Sequence, residues 1–120
     1  MKKALVLIST ILLGGIALQV RCANAVDFNG TWCVKSDPEE CAIISTQGDK
    51  VKGEFRHSGS KTVDLIGYQQ GSGLAMSFRN SKKEVGAWMA IQKTCTELDA
   101  VCLNPDGSER WKTTYIRKNP

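Results

Sequence analysis

Apolar residues in this chain recur at every second position beyond residue 26, and no stretch there sustains the 3.6-residue period of an amphipathic helix. Val51 and Phe55 share one side of 51–57, with Lys52, Glu54 and Arg56 on the other. Leu74, Met76 and Phe78 share a face, as do Val85, Ala87, Met89 and Ile91. Trp111, Thr113 and Tyr115 alternate with Lys112, Thr114 and Ile116. Each segment reads as a half-buried antiparallel strand. Turn signals fall between them at Ser36-Asp37-Pro38-Glu39, Gly48-Asp49, Ser58-Gly59-Ser60, Gly71-Ser72-Gly73, Asn80-Ser81-Lys82, Leu98-Asp99 and Asn104-Pro105-Asp106-Gly107. The spacing predicts eight strands, at 30–35, 41–47, 50–57, 61–69, 74–79, 84–96, 100–104 and 109–118. Every connection suits a hairpin, so the all-β chain should run as an eight-stranded antiparallel up-and-down meander. Closure into a barrel would hide the apolar face and remove the edges. An open two-sheet β-sandwich is the alternative.

At 120 residues and 13.1 kDa the chain has room for one small domain. It is too short for a doubly wound dinucleotide fold or a barrel of alternating strands and helices. With 42% hydrophobic residues it is neither a disordered acidic tail nor a low-complexity linker. Met1-Lys2-Lys3 is a short basic start, Ala4 to Val20 is largely apolar, and Ala23-Asn24-Ala25 supplies small residues two apart. This is the three-part pattern of a secretory signal peptide, expected over residues 1–25, with a single domain over 26–120. A retained membrane anchor would need the apolar run to span the bilayer, and the small-x-small site argues for cleavage instead. Lipidation at Cys22 is disfavoured by Gln19-Val20-Arg21 before it. Without Lys2, Lys3 and Arg21 the 16 basic residues become 13 against 12 acidic. That near-neutral balance gives no footing for nucleic-acid binding. The expectation is an exported protein, periplasmic or extracellular, with no membrane span after cleavage.

Cysteine usage points the same way. Once Cys22 leaves with the signal, Cys33, Cys41, Cys95 and Cys102 remain, an even count that reads as two disulfides. The intervals of seven and six residues are too long for a structural zinc knuckle. Cys33 and Cys41 lie symmetrically about Asp37, and Cys95 and Cys102 flank Leu98-Asp99 in the same way. Two local staples, Cys33–Cys41 and Cys95–Cys102, are therefore expected across two hairpins.

Phe28-Asn29-Gly30-Thr31-Trp32 opens the first strand and Arg117 sits in the last. A G-x-W on strand one with a basic residue on the final strand resembles the calycin pattern of lipocalins and avidins. The resemblance implies a small barrel in which Trp32 closes one end and Arg117 packs over its ring, as cation–π attraction favours. The chain is shorter than a typical lipocalin, lacks that family's C-terminal helix, and lacks the tryptophan-rich polar strands that surround biotin in avidins. A second resemblance is to small periplasmic protease inhibitors with a compact barrel and an N-terminal arm, of which Asp27 and Phe28 offer a short version.

No catalytic set emerges. His57 is the one histidine, and the nearby Ser58, Ser60 and Asp64 lie along one strand end, a spacing that seldom gives a triad. Glu39 and Glu40 share a turn, while Asp49, Asp64, Asp99 and Asp106 are scattered. Asp106-Gly107 follows Pro105 in a turn that lacks the alternating oxygens of a calcium loop. Asn29-Gly30-Thr31 matches a glycosylation acceptor and also suits a strand entry. Neither a metal nor a cofactor is expected. The aromatic and methionine set allows either a filled core or a cup for a small apolar or amphipathic molecule, lined by Phe55, Met76, Phe78, Met89, Trp111 and Tyr115. Two functions follow as expectations. One is a non-enzymatic exported binding module with a ligand in the barrel. The other is a protein-interaction module, such as an inhibitor of a secreted hydrolase or toxin.

Overall fold

A computed structural model of the chain describes residues 27–118, so the expected leader lies outside the described residues. Eight strands follow one another: β1 (Gly30–Val34), β2 (Asp37–Gln47), β3 (Lys50–His57), β4 (Ser60–Gln70), β5 (Gly73–Arg79), β6 (Val85–Thr94), β7 (Glu97–Leu103) and β8 (Glu109–Lys118). Each pairs antiparallel with the next, and β1 pairs with β8. The sheet is thus a closed up-and-down barrel, and the open sandwich is set aside. Among the described residues there is no helix.

The turns divide between two ends. Residues 35–36, 58–59, 80–84 and 104–108 lie at one, and 48–49, 71–72 and 95–96 at the other. The Ser58-Gly59 hairpin has positive φ at both residues, 49° and 86°. This mirror-image turn matches the right-handed twist of the strands it joins. Two turns differ from expectation. The first reversal is at Lys35-Ser36, with Asp37 already in β2. Val34 pairs with Asp37 while Cys33 pairs with Cys41, so Pro38, Glu39 and Glu40 form a bulge that restores the cysteine register. Cys33 and Cys41 are joined by a disulfide.

The other expected staple does not form. The chain reverses at Cys95-Thr96, and Leu98 is fully buried inside β7 rather than exposed in a turn. Cys102 therefore pairs across to Trp88 on β6 and Trp111 on β8, and its thiol is free and buried. Cys95 is held in a disulfide with a partner other than Cys102. Cys22 lies outside the described residues.

Alternation along each strand separates the core from solvent. Trp32, Ala42, Ile44, Val51, Leu65, Leu74, Met76, Trp88, Ala90, Leu98, Ala100 and Tyr115 are buried inside. On β6 the period of two holds but the buried face is the opposite one. Val85, Met89 and Ile91 stand outside, while Gly86, Trp88 and Ala90 point in. The narrow lumen accepts the large indole because its in-strand neighbours are small. Gly86 sits opposite Phe78, and a Cβ on it would stand 2.5 Å from Phe78 Cζ and 2.9 Å from the Leu103 carbonyl oxygen.

The end holding Gly30 and Lys118 is plugged. Trp32 and Arg117 are register partners, and the guanidinium lies 4.2 Å from the indole centroid. The indole Nε1 donates to the Phe28 carbonyl at 2.9 Å, and Phe28 is itself buried. Arg117 donates to the Asn29 carbonyl at 2.7 Å and to the Asp27 carbonyl. The Asn29 side chain exchanges two hydrogen bonds with Thr46, at 2.7 and 2.8 Å. Residues 27–29 are thereby strapped across the barrel end.

Substitutions at two positions probe this account. Arg117→Ala should lower unfolding free energy in urea by about 1–2 kcal/mol, from lost ring stacking and carbonyl bonds. Arg117→Lys should recover part of that, because an ammonium lacks the planar fork. Gly86→Ala should cost about 1–3 kcal/mol through overpacking against Phe78.

Candidate functional site

The end opposite the plug is open. A cavity of about 630 Å³ enters the barrel there, walled by Val34, Phe55, Val63, Phe78, Trp111 and Tyr115. Phe55 lies at the centre of the aromatic wall. Its ring meets Phe78 at 5.9 Å, Trp88 at 5.5 Å and Trp111 at 6.4 Å between centroids. Trp88 meets Tyr115 edge-on at 5.3 Å, and Trp111 meets Tyr115 at 6.2 Å. Such edge and tilted pairs add about 0.5–1.5 kcal/mol each beyond area burial, which stiffens the wall. Trp88, with no exposed surface, seals the cup from below.

Polar side chains share the lining: Thr62, Asn80, Ser81 and Thr113, with Tyr115 and Cys102. Tyr115 is 2% exposed, and burial pushes its phenol well above the ordinary range. The Trp88 N–H pulls in the other direction, toward the phenolate, yet Nε1 is buried without a hydrogen bond of good geometry. Burial likewise raises the Cys102 thiol, with Arg110 partly opposing it. Asp37, Glu40, Arg110 and Lys112 also line the cup, so both signs of charge are present there.

The set proposed from sequence divides three ways. Phe55, Phe78, Trp111 and Tyr115 come together on the cup wall. Met76 faces inward but lies in the packed core, at 3% exposure. Met89 is not inside at all. It projects outward between Ala75 and Val101, because Trp88 takes the interior position of that strand. Val34, Val63 and Cys102 were missed. An even cysteine count points Cys102 to a disulfide, while its place two residues after Ala100 on the apolar period points it to the core.

The residues around His57 form no nucleophilic relay. His57 Nδ1 lies 2.5 Å from Glu40 Oε1 at the rim, while Ser58 Oγ donates to Glu39 instead. Asp64 is paired with Lys61 at 3.2 Å. Among the described residues no three His, Cys, Asp or Glu side chains cluster as metal ligands.

A second concavity, of about 980 Å³, lies on the outer wall along Tyr68, Ala75, Met89, Ile91 and Val101. Ile66, Tyr68, Val85, Met89 and Ile91 are exposed over this side of the barrel.

Two measurements follow from these environments. Cys102 should resist iodoacetamide in the native protein and react once the protein is unfolded without reductant, whereas Cys33 and Cys41 should not react. The folded state favours neutral Tyr115, so its contribution is complete below the unfolded phenol pKa and declines as pH rises above about 10. Tyr115→Phe should flatten the alkaline limb of a stability–pH curve above that point.

Comparison of the chain with protein-family models finds no matching family, and comparison with curated proteins and with solved structures finds no significant match.

Proposed function

We propose that this protein is an exported, non-enzymatic binding module that holds a small apolar or amphipathic molecule in the aromatic cup. The cup itself carries the reading. Its volume of about 630 Å³ suits a small organic molecule. Its wall is preformed, with aromatic rings to bury an apolar body and hydroxyl groups beside them to orient it. The Cys33–Cys41 disulfide supports a non-reducing compartment, in keeping with export. The closed meander with Trp32 under Arg117 resembles the calycin architecture, where ligands occupy the barrel mouth.

The outer apolar face favours a second reading, a protein-interaction module, because exposed patches of this kind mark contact surfaces. The two separate experimentally. In a tryptophan-fluorescence titration with a neutral naphthalene probe, Phe55→Ala and Trp111→Ala should each weaken binding by about tenfold or more. Met89→Ala should leave it unchanged. Loss of binding in the Met89 variant alone would move the site to the outer wall. Native mass spectrometry of protein from its natural compartment should show a bound small molecule.

A further inference from the structure

The inward-facing polar groups of the cup include the hydroxyls of Tyr115 and Thr113 and the Cys102 thiol, with the Trp88 N–H buried behind them. They differ in what they offer a ligand. The Trp88 nitrogen is sealed from the cavity and lies toward the phenol oxygen. It therefore sits against the oxygen's acceptor side. The Tyr115 hydroxyl makes no hydrogen bond of good geometry to any described residue, and it is not among the sealed polar atoms. A buried phenol facing a cavity with its own proton unplaced is an unsatisfied donor, since buried polar groups are nearly always hydrogen-bonded.

We propose that Tyr115 selects the ligand's inner end by donating a hydrogen bond to a neutral acceptor, such as a ketone, ester or amide carbonyl carried on an apolar or aromatic body. The proposal rests on the cup being the binding site. Two observations restrict the acceptor to a neutral one. Burial keeps the phenol protonated, so it donates and does not receive a proton from the ligand. The cations lining the cup, Arg110 and Lys112, are both exposed to solvent, and Asp37 and Glu40 line it with them. An ionised carboxylate driven inward would lose its water with no buried countercharge to replace it. A bare hydrocarbon would fill the volume and leave the hydroxyl unpaired, and a site built around a polar group discriminates against such an analogue.

The test uses three probes of one shape: 2-acetylnaphthalene, 2-ethylnaphthalene and 2-naphthoate. The wild-type protein should bind the ketone about tenfold more tightly than the hydrocarbon and the anion most weakly. In Tyr115→Phe the ketone should fall to the hydrocarbon's affinity, while the hydrocarbon itself binds at least as well as before. The carbonyl stretch of the bound ketone should lie at lower frequency in the wild type than in the variant. This second readout depends on the hydrogen bond rather than on the fit of the cup. Ketone preference that survives Tyr115→Phe, or tightest binding of the anion, overturns this inference and leaves the cup reading standing. Binding of none of the three to the folded wild-type protein overturns the cup reading and this inference with it.

Discussion

The pairing of β1 with β8 is the contact on which the rest of the molecule depends. Without it the sheet would have two edges, and its apolar side would face water. The seam is short, because β1 has five residues. It is reinforced on both sides. Arg117 covers Trp32 and holds the carbonyls of Asp27 and Asn29, while Cys33–Cys41 ties β1 to β2. One guanidinium thus joins the last strand to the segment that plugs the barrel. Sealing that end is what lets the opposite end remain open without exposing the whole core.

The lumen is narrow, and the distribution of side-chain sizes determines where it is full. Near the plug, Phe28, Trp32, Val51, Leu74 and Leu98 pack with the small Ala90 and Ala100. Toward the mouth, large rings stand against the wall, and Gly86 allows Phe78 to lie back against β6. Edge-on contacts among Phe55, Trp88 and Tyr115 keep the rings from collapsing inward. A hollow and a core therefore share one barrel, separated by Trp88.

Period and turn chemistry made the eight strands and their order legible, because alternation is a local property and hairpins join neighbours. Which side of a strand faces in was legible where one parity held all the large apolar residues, as in Leu74, Met76 and Phe78. On β6 both parities are apolar, with Val85, Met89 and Ile91 against the single large residue Trp88. Counting hydrophobes selects the wrong face there. Lumen width decides it, and width is a property of the closed barrel. The same limit applies to Leu98-Asp99, where an acidic residue suggested a turn. Asp99 instead sits on the outer face of β7, accepting a hydrogen bond from Thr114 across the strand. Placing the turn three residues late separated Cys95 from its true surroundings and hid Cys102 as a core thiol. The cup wall was readable in part, since Phe55, Phe78, Trp111 and Tyr115 share the inward parity. Its depth was not, because it depends on how far Trp88 reaches.

Of the eight seams around the barrel, seven are bridged by a turn and one is not. Each bridged seam can zip from a local hairpin at small entropic cost. The remaining seam joins groups as far apart as Asn29 and Arg117, which are 88 residues apart in sequence. Nearly all the long-range ordering of the chain is concentrated in that one event. Folding of this meander is accordingly a race between fast local hairpins and a single slow meeting of the ends. Until that meeting occurs, the first and last strands remain unpaired edges open to other chains.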